Sequence, residues 1–278
     1  MNKIKTIAAN ACRTVLALTF IFSGYVKASD PLGTQYKIHD YLEALGLAAY
    51  APDWLTLCSS IALSAVEFSL GIFMLFAIRR RATSAAMLLF MMAMTAITVW
   101  IAIADPVSDC GCFGDAVILT NMQTLAKNIV LLACAATVYA WPLRMYRFIS
   151  RPAQWIAINY TILFSLASSI VSLYLLPPFD FRPYHIGADL LKGMEIPADA
   201  PQPQFTTTFV LEKNGERKEF TLDDYPDSTW TFVDSKTVQT SEGYVPPIHD
   251  FSIQLEDGTD ATDNILAHKG YTFLLISP

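Results

Sequence analysis

Five cysteines mark where this sequence could do chemistry: Cys12, Cys58, Cys110, Cys112 and Cys134. Two of them stand one residue apart, in the run Asp109-Cys110-Gly111-Cys112-Phe113-Gly114-Asp115. A disulfide needs Cα atoms roughly 4.4–6.8 Å apart. Residues two apart reach that only across a bent backbone, which Gly111 permits. So small a ring is strained, and strained, exposed disulfides are the labile, oxidising ones. The pair therefore suits a device that passes oxidising equivalents. Two other readings stay open. Two thiolates take Cu(I) or Zn(II), although zinc asks for about four ligands and His39 is the available nitrogen. An inert pair bracing its loop is the third reading. Asp109 and Asp115 flank the thiols, and neighbouring carboxylates disfavour thiolate, so the local sequence predicts thiols that are not strongly acidified.

Glu67 is the other group that stands out, because it lies inside an apolar stretch. A charge there costs at least about 2.5 kcal/mol on insertion scales and is a functional hypothesis by default. Arg13, in the preceding apolar stretch, is the expected partner. Counted from the same end, Arg13 is roughly 9 Å and Glu67 roughly 16 Å along their helices, a gap that an arginine side chain spans. The pair reads as a fixed ion pair that sets helix order, with a proton relay or a quinone-polarising group as the alternative. Met87, Met91, Met92 and Met94 form a stripe that reads as packing rather than copper binding. Cys12 and Cys134, the latter roughly 16 Å deep in its helix, also read as small packing residues.

The elements that must position these groups are membrane helices. Of the 278 residues 53% are hydrophobic and only 16% charged, against roughly 25% charged in an ordinary soluble domain. Five apolar stretches, 7–26, 54–78, 83–104, 123–142 and 154–176, each reach the roughly 20 residues that a spanning helix needs. Stretches 83–104 and 154–176 carry no charge, whereas a soluble bundle would show a polar stripe. The N-terminus also has the layout of a secretory signal, with Lys3 and Lys5, an apolar run and Val26-Lys27-Ala28 as a cleavage site. Four further spans put the chain in the membrane in either case. Lys3, Lys5, Arg79, Arg80, Arg81, Arg144, Arg147 and Arg151 all fall on one side of these spans, which the positive-inside rule makes the cytoplasm. Segments 27–53 and 105–122 are then outer loops, and Cys58 lies about 6 Å below the same outer face. Three thiols on an oxidising side cannot pair evenly, so Cys58 reads as a relay or resolving thiol.

The net charge of -6 averages two unlike halves. Residues 1–176 hold 12 Lys and Arg against 8 Asp and Glu, and residues 177–278 hold 7 against 17. The acidic half would repel phosphate backbones, so no nucleic acid is expected. Residues 177–204 form a proline-rich linker with a short helix near 187–193. Residues 205–245 form a small β-rich domain, with a hairpin about Asn214-Gly215 and a further strand near Trp230, Phe232 and Val233. Residues 246–278 read as a short strand, an Asp257-Gly258 turn, a short helix and a buried strand over Tyr271–Ile276. That order resembles the opening of a thioredoxin-like (redoxin) domain, whose redox cysteines follow the first core strand. The stop at Pro278 therefore reads as a truncation.

A family resemblance runs through residues 10–142. Arg13, then Ser23-Gly24 with Lys27, then Asp30-Pro31 resemble the first helix and loop of DoxX-type membrane proteins. Glu67 with Gly71 is similar to that family's second helix. Cys110-Gly111-Cys112-Phe113-Gly114 is similar to the loop of the related MauE group. The resemblance implies a four-helix membrane domain (1–142), linked to methylamine utilisation, that acts with a thioredoxin-like partner in forming periplasmic disulfides. The bundle also resembles the disulfide-relay enzymes DsbB and vitamin K epoxide reductase, which leaves a quinone open as cofactor. Those enzymes carry Cys-x-x-Cys, and this chain has Cys-x-Cys without a second outer pair.

The expected fold is a membrane all-α four-helix bundle. A cytoplasmic loop and fifth transmembrane helix follow (143–176), then the extracytoplasmic β-rich domain and the thioredoxin-like start. The expected function is an integral-membrane thiol–disulfide module of the bacterial inner membrane, with its N-terminus cytoplasmic and residues 177–278 periplasmic. Cys110, Cys112 and Cys58 are the expected catalytic thiols, Arg13 and Glu67 the structural or relay groups, and no metal is expected. The partners are the lipid bilayer and a thioredoxin-like domain or protein. The alternatives are a non-enzymatic anchor or scaffold for the outer domain, and a metal or small-molecule membrane protein built around Glu67.

Overall fold

The computed structural model describes residues 2–107, 110–177, 179–202, 204–213, 216–221, 230–241, 243–249 and 251–275. Five of its helices are long and apolar enough to cross a membrane. They are α1 (Asn2–Ser29), α3 (Asp53–Leu75), α4 (Arg80–Ala104), α5 (Asn121–Ala140) and α6 (Gln154–Tyr174). Each coincides with one of the five apolar stretches. Leu89, Ile103 and Leu163 stand 66%, 81% and 67% exposed on them. Such an apolar exterior is a liability in water and the proper surface in lipid.

Between the first two spans the chain does not run as a loop. It forms a further helix, α2 (Pro31–Ala44). Asp30 caps its start by accepting a hydrogen bond from the Gly33 N–H at 3.0 Å. Pro31 occupies the first turn, where a missing N–H costs nothing. α2 lies along the N-terminal part of α3, with Ser60 Oγ donating to Pro31 O at 2.7 Å and Gln35 Nε2 to Thr56 Oγ1 at 3.1 Å.

α1 and α3 approach closely through two glycines. A Cβ at Gly71 would lie 2.6 Å from the Ile21 backbone nitrogen, and one at Gly24 would collide with the Phe68 backbone. Small residues at such crossings are what let membrane helices meet backbone to backbone. The core beside this crossing joins Leu16 and Phe20 of α1, Met74 of α3, Met87 and Met91 of α4, and Leu131 and Val138 of α5. The Met stripe thus supplies core packing at Met87 and Met91. Cys12 and Cys134 pack against the same cluster.

The basic segments gather at one end of the helices. Lys5 lies 5.4 Å from the Trp141 ring centroid, and Arg80 donates to the carbonyls of Leu143 and Met145 at 2.9 and 2.8 Å. Residues 110–120, with the thiols, lie at the other end.

Residues 183–278 form a separate compact unit. Beyond the short α7 (Leu190–Met194), three antiparallel strands make its sheet: β1 (Gln204–Lys213), β2 (Glu216–Phe220) and β3 (Thr231–Ser241), in the order β2-β1-β3. The hairpin and third strand are those expected, and the Asn214-Gly215 turn itself lies outside the described residues. The Asp257-Gly258 turn, with Gly258 at φ +82, leads to α8 (Thr262–Leu266). The expected buried strand after it is not formed. Residues 271–275 have no regular structure, and Tyr271 and Phe273 are each 94% exposed. Among the described residues no strand pairs with this segment, and an unpaired strand can neither satisfy its backbone nor bury its side chains. Ile276 and Pro278 lie outside the described residues.

Candidate functional site

The loop carrying the thiols folds back over the end of α1. Phe113 packs on Phe22 with ring centroids 5.6 Å apart, and Ser23 Oγ lies 2.7 Å from the Cys112 carbonyl oxygen. α2 holds the other side, where Tyr41 donates to the Cys110 carbonyl at 2.7 Å. Gly111 takes φ +60, and a Cβ there would sit 3.0 Å from Lys37 Cγ. Glycine is thus demanded twice, by the left-handed backbone and by the approach of α2. The result is the bent geometry that the spacing predicts: the sulfurs of Cys110 and Cys112 lie 3.1 Å apart as free thiols.

Directly beneath is a buried ion pair. Lys27 Nζ lies 2.7 and 2.8 Å from the two oxygens of Glu67, with both side chains about 5% exposed. Ser23 joins this pair to the thiol loop. Its Oγ is 2.7 Å from Glu67 Oε2, 3.2 Å from Lys27 Nζ and, as above, 2.7 Å from the Cys112 carbonyl. A hydroxyl has one proton to donate, so Ser23 serves Glu67 or the Cys112 carbonyl at any moment. Lys27 follows Ser23 by one helical turn, and the Gly24 and Gly71 crossing brings both against Glu67.

The expected Arg13–Glu67 pair does not form. Arg13 Nη1 donates to the Tyr146 carbonyl at 2.6 Å, and its guanidinium sits 5.0 Å from the Phe148 ring centroid. It ties α1 to the loop after α5. Depth counted from the helix ends failed because α2 continues alongside α3 beyond the end of α1. Glu67 therefore meets the C-terminal part of α1, at Ser23 and Lys27.

The two thiols differ in acidity. Cys112 is lowered to about 6, first because the Cys110 thiol donates to it; Lys127 and Lys27 add positive charge, against burial and Glu67. Cys110 is pushed up, first as the donor in that bond and then by burial. Near neutral pH the pair thus holds one proton, on Cys110. This runs against the expectation of unacidified thiols: the Cys110 thiol across the turn acts first, and the lysines of α1 and α5 add to it. Asp115 acts instead on Arg182, which is held by Asp180 through bonds of 2.8 and 2.6 Å. Asp109 lies outside the described residues.

Two clefts flank the pair. A small one of about 30 Å³ is bordered by Ser23, Lys27, Glu67, Cys112 and Lys127, room for a water or two. A larger one of about 120 Å³ runs past Lys37, Gly111 and Arg182. Cys58 is exposed on α3 and borders neither cleft. His39 lies on α2 and borders neither.

Residues 5–141 match the family model described as methylamine utilisation protein MauE. The helical unit is of the MauE type. Residues 205–242, which span the three-stranded sheet, match a domain of unknown function, DUF8463. No curated protein and no solved structure matches the chain significantly. Within the MauE-type domain, Ser23, Lys27, Tyr41 and Lys127 are the site residues that the sequence reading left without a role. Lys27 carried a signal, a lysine one turn after a serine at the end of an apolar helix. Tyr41 and Lys127 carried none, because only the fold brings them to the loop.

Proposed function

We propose that this MauE-type protein is a membrane thiol–disulfide module in which Cys110 and Cys112 exchange with a thioredoxin-like partner on the outer, periplasmic face. The observation that carries the reading is a close dithiol, sulfurs 3.1 Å apart on a glycine turn, set over the buried Lys27–Glu67 pair. In the reduced module, the Cys112 thiolate attacks a partner disulfide and forms a mixed disulfide. The partner's first thiolate leaves and takes the proton of Cys110. Cys110 then attacks the Cys112 sulfur and releases the partner's second thiolate. The partner gains two electrons, and the module ends as the Cys110–Cys112 disulfide. The reverse path oxidises the partner by the same bonds, with Cys112 as the central sulfur throughout. Lys127 and Lys27 favour the thiolate form of Cys112.

The basic end of the helices supports an inner-membrane topology with the N-terminus cytoplasmic and residues 177–278 periplasmic. The family description supports a place in methylamine utilisation. Cys58, exposed and apart from both clefts, is proposed as a relay only for a docked partner. A membrane quinone remains the acceptor class for recharging the pair.

The test is trapping in native membranes. A Cys110→Ser variant should accumulate a reductant-sensitive adduct through Cys112 with a thioredoxin-like protein, and Cys112→Ser should accumulate none. The anchor reading is favoured by the separate compactness of residues 183–278. It predicts no adduct, and a Cys110→Ser/Cys112→Ser double variant that functions at normal abundance; that pair of results overturns the exchange reading.

A further inference from the structure

The end of the helical unit opposite the thiols holds a second site. Arg79, Arg80, Arg81, Arg147 and Arg151 line one cleft of about 620 Å³, beside Leu143. None of its lining residues is acidic. The segments that form this end, 76–83 and 141–153, contain no Asp or Glu at all. Among the described residues, none of the five arginines forms an ion pair.

Two helices start at this cleft without a side-chain cap. The residue before α4 is Arg79, in the left-handed region at φ +39, and the residue before α6 is Ala153. Arg79 N–H turns to Gln154 Oε1 at 3.2 Å. Arg80, Arg81 and Ala82, the first turn of α4, line the cleft, and the positive end of a helix dipole favours an anion. Arg80 is held in place by the carbonyls of Leu143 and Met145.

Retention of positive charge on one side of a membrane needs arginines, but not arginines gathered around one hollow. Splayed into solvent they would serve the same rule at less mutual repulsion. Their convergence calls for an anion. A second cleft shares Arg81 and Leu143 with the first and continues over Ala85, Tyr139 and Trp141. That surface is apolar and aromatic, with the residue types that settle at the membrane–water boundary.

We infer that the arginine cleft binds the phosphate of an anionic glycerophospholipid from the adjoining leaflet, with the glycerol and first acyl carbons along Tyr139, Trp141 and Leu143. A phosphate diester offers the planar-fork acceptors that guanidinium groups match. Basic pockets between membrane helices bind such headgroups, and each Lys or Arg near an anionic leaflet is worth about fivefold in affinity. The inference stands apart from the thiol chemistry, since it uses no residue of that site.

The experiment uses the full chain in nanodiscs of phosphatidylcholine doped with phosphatidylglycerol, with retained lipid counted by native mass spectrometry. The wild type should retain phosphatidylglycerol over phosphatidylcholine by well above tenfold. An Arg81→Gln/Arg147→Gln/Arg151→Gln variant should lose most of that preference, and each single variant should lose about fivefold. A Lys3→Gln variant, which removes charge from the same end outside both clefts, should keep it. Equal losses in the lysine and arginine variants would reduce the effect to general charge and overturn the site. No preference in the wild type overturns it directly. Binding of inorganic phosphate with no lipid preference would overturn the lipid source and assign the cleft to a soluble phosphate. Single arginine variants keep the outcome readable if the triple variant fails to fold.

Discussion

The two ends of the MauE-type domain handle positive charge in opposite ways. At the thiol end, Lys27 is buried and held by both oxygens of Glu67, and a serine links that pair to the thiol loop. At the other end, five arginines stand around an open cleft without an ion pair among the described residues. A buried cation costs several kcal/mol in desolvation and survives only with a partner. A cation at an open boundary costs little and stays available to something outside the chain. The first arrangement fixes a site, and the second leaves one to be filled.

The contrast breaks most visibly at the buried pair. Lys27→Met or Glu67→Leu alone should cost about 3–5 kcal/mol, because the partner is left charged and buried. The double change should recover most of it; unfolding in mixed lipid–detergent micelles gives both numbers. Next is the crossing that brings the pair together. Gly71→Val should cost about 1–3 kcal/mol in the same assay, since its side chain meets the Ile21 backbone. A thiol titration sharpens the picture without a fold change. Cys112 alkylation should rise with pH through about 6 and level off above it, because the lowered pKa keeps the thiolate above that point and loses it below. Lys127→Gln should move that midpoint upward, since Lys127 lowers it. The smallest effect belongs to the open end. Arg147→Gln should change stability by no more than about 0.5 kcal/mol, as for surface positions without a partner.

The spans were legible because length and hydropathy suffice for a helix in lipid, and residues 83–104 show the principle at its plainest. The bent thiol pair was legible from Gly111, because only one residue type suits that backbone. The hairpin of β1 and β2 was legible from alternation about a turn dipeptide. α2 was not, since its polar surface hides it from a hydropathy reading, although Asp30-Pro31 spelled a helix start. The partner of Glu67 was misread because α2 shifts the register of α1 against α3. The acidity of Cys112 was misread because its first cause is the bond from Cys110 across the turn, and the lysines that add to it come from α1 and α5. The missing strand at 271–275 shows the reverse error, in which a local pattern existed without a neighbour to complete it.

The separation of Lys27 from Glu67 bears on how the protein is made. The two residues are 40 apart in the chain. At about 5–20 residues per second of synthesis, the lysine emerges several seconds before its carboxylate. During that interval α1 carries an uncompensated cation near one end, and its place in the bilayer is provisional. Arrival of α3 settles it, so the first two spans mature as one unit. A ribosome paused between them would leave a nascent chain with only a half-committed anchor.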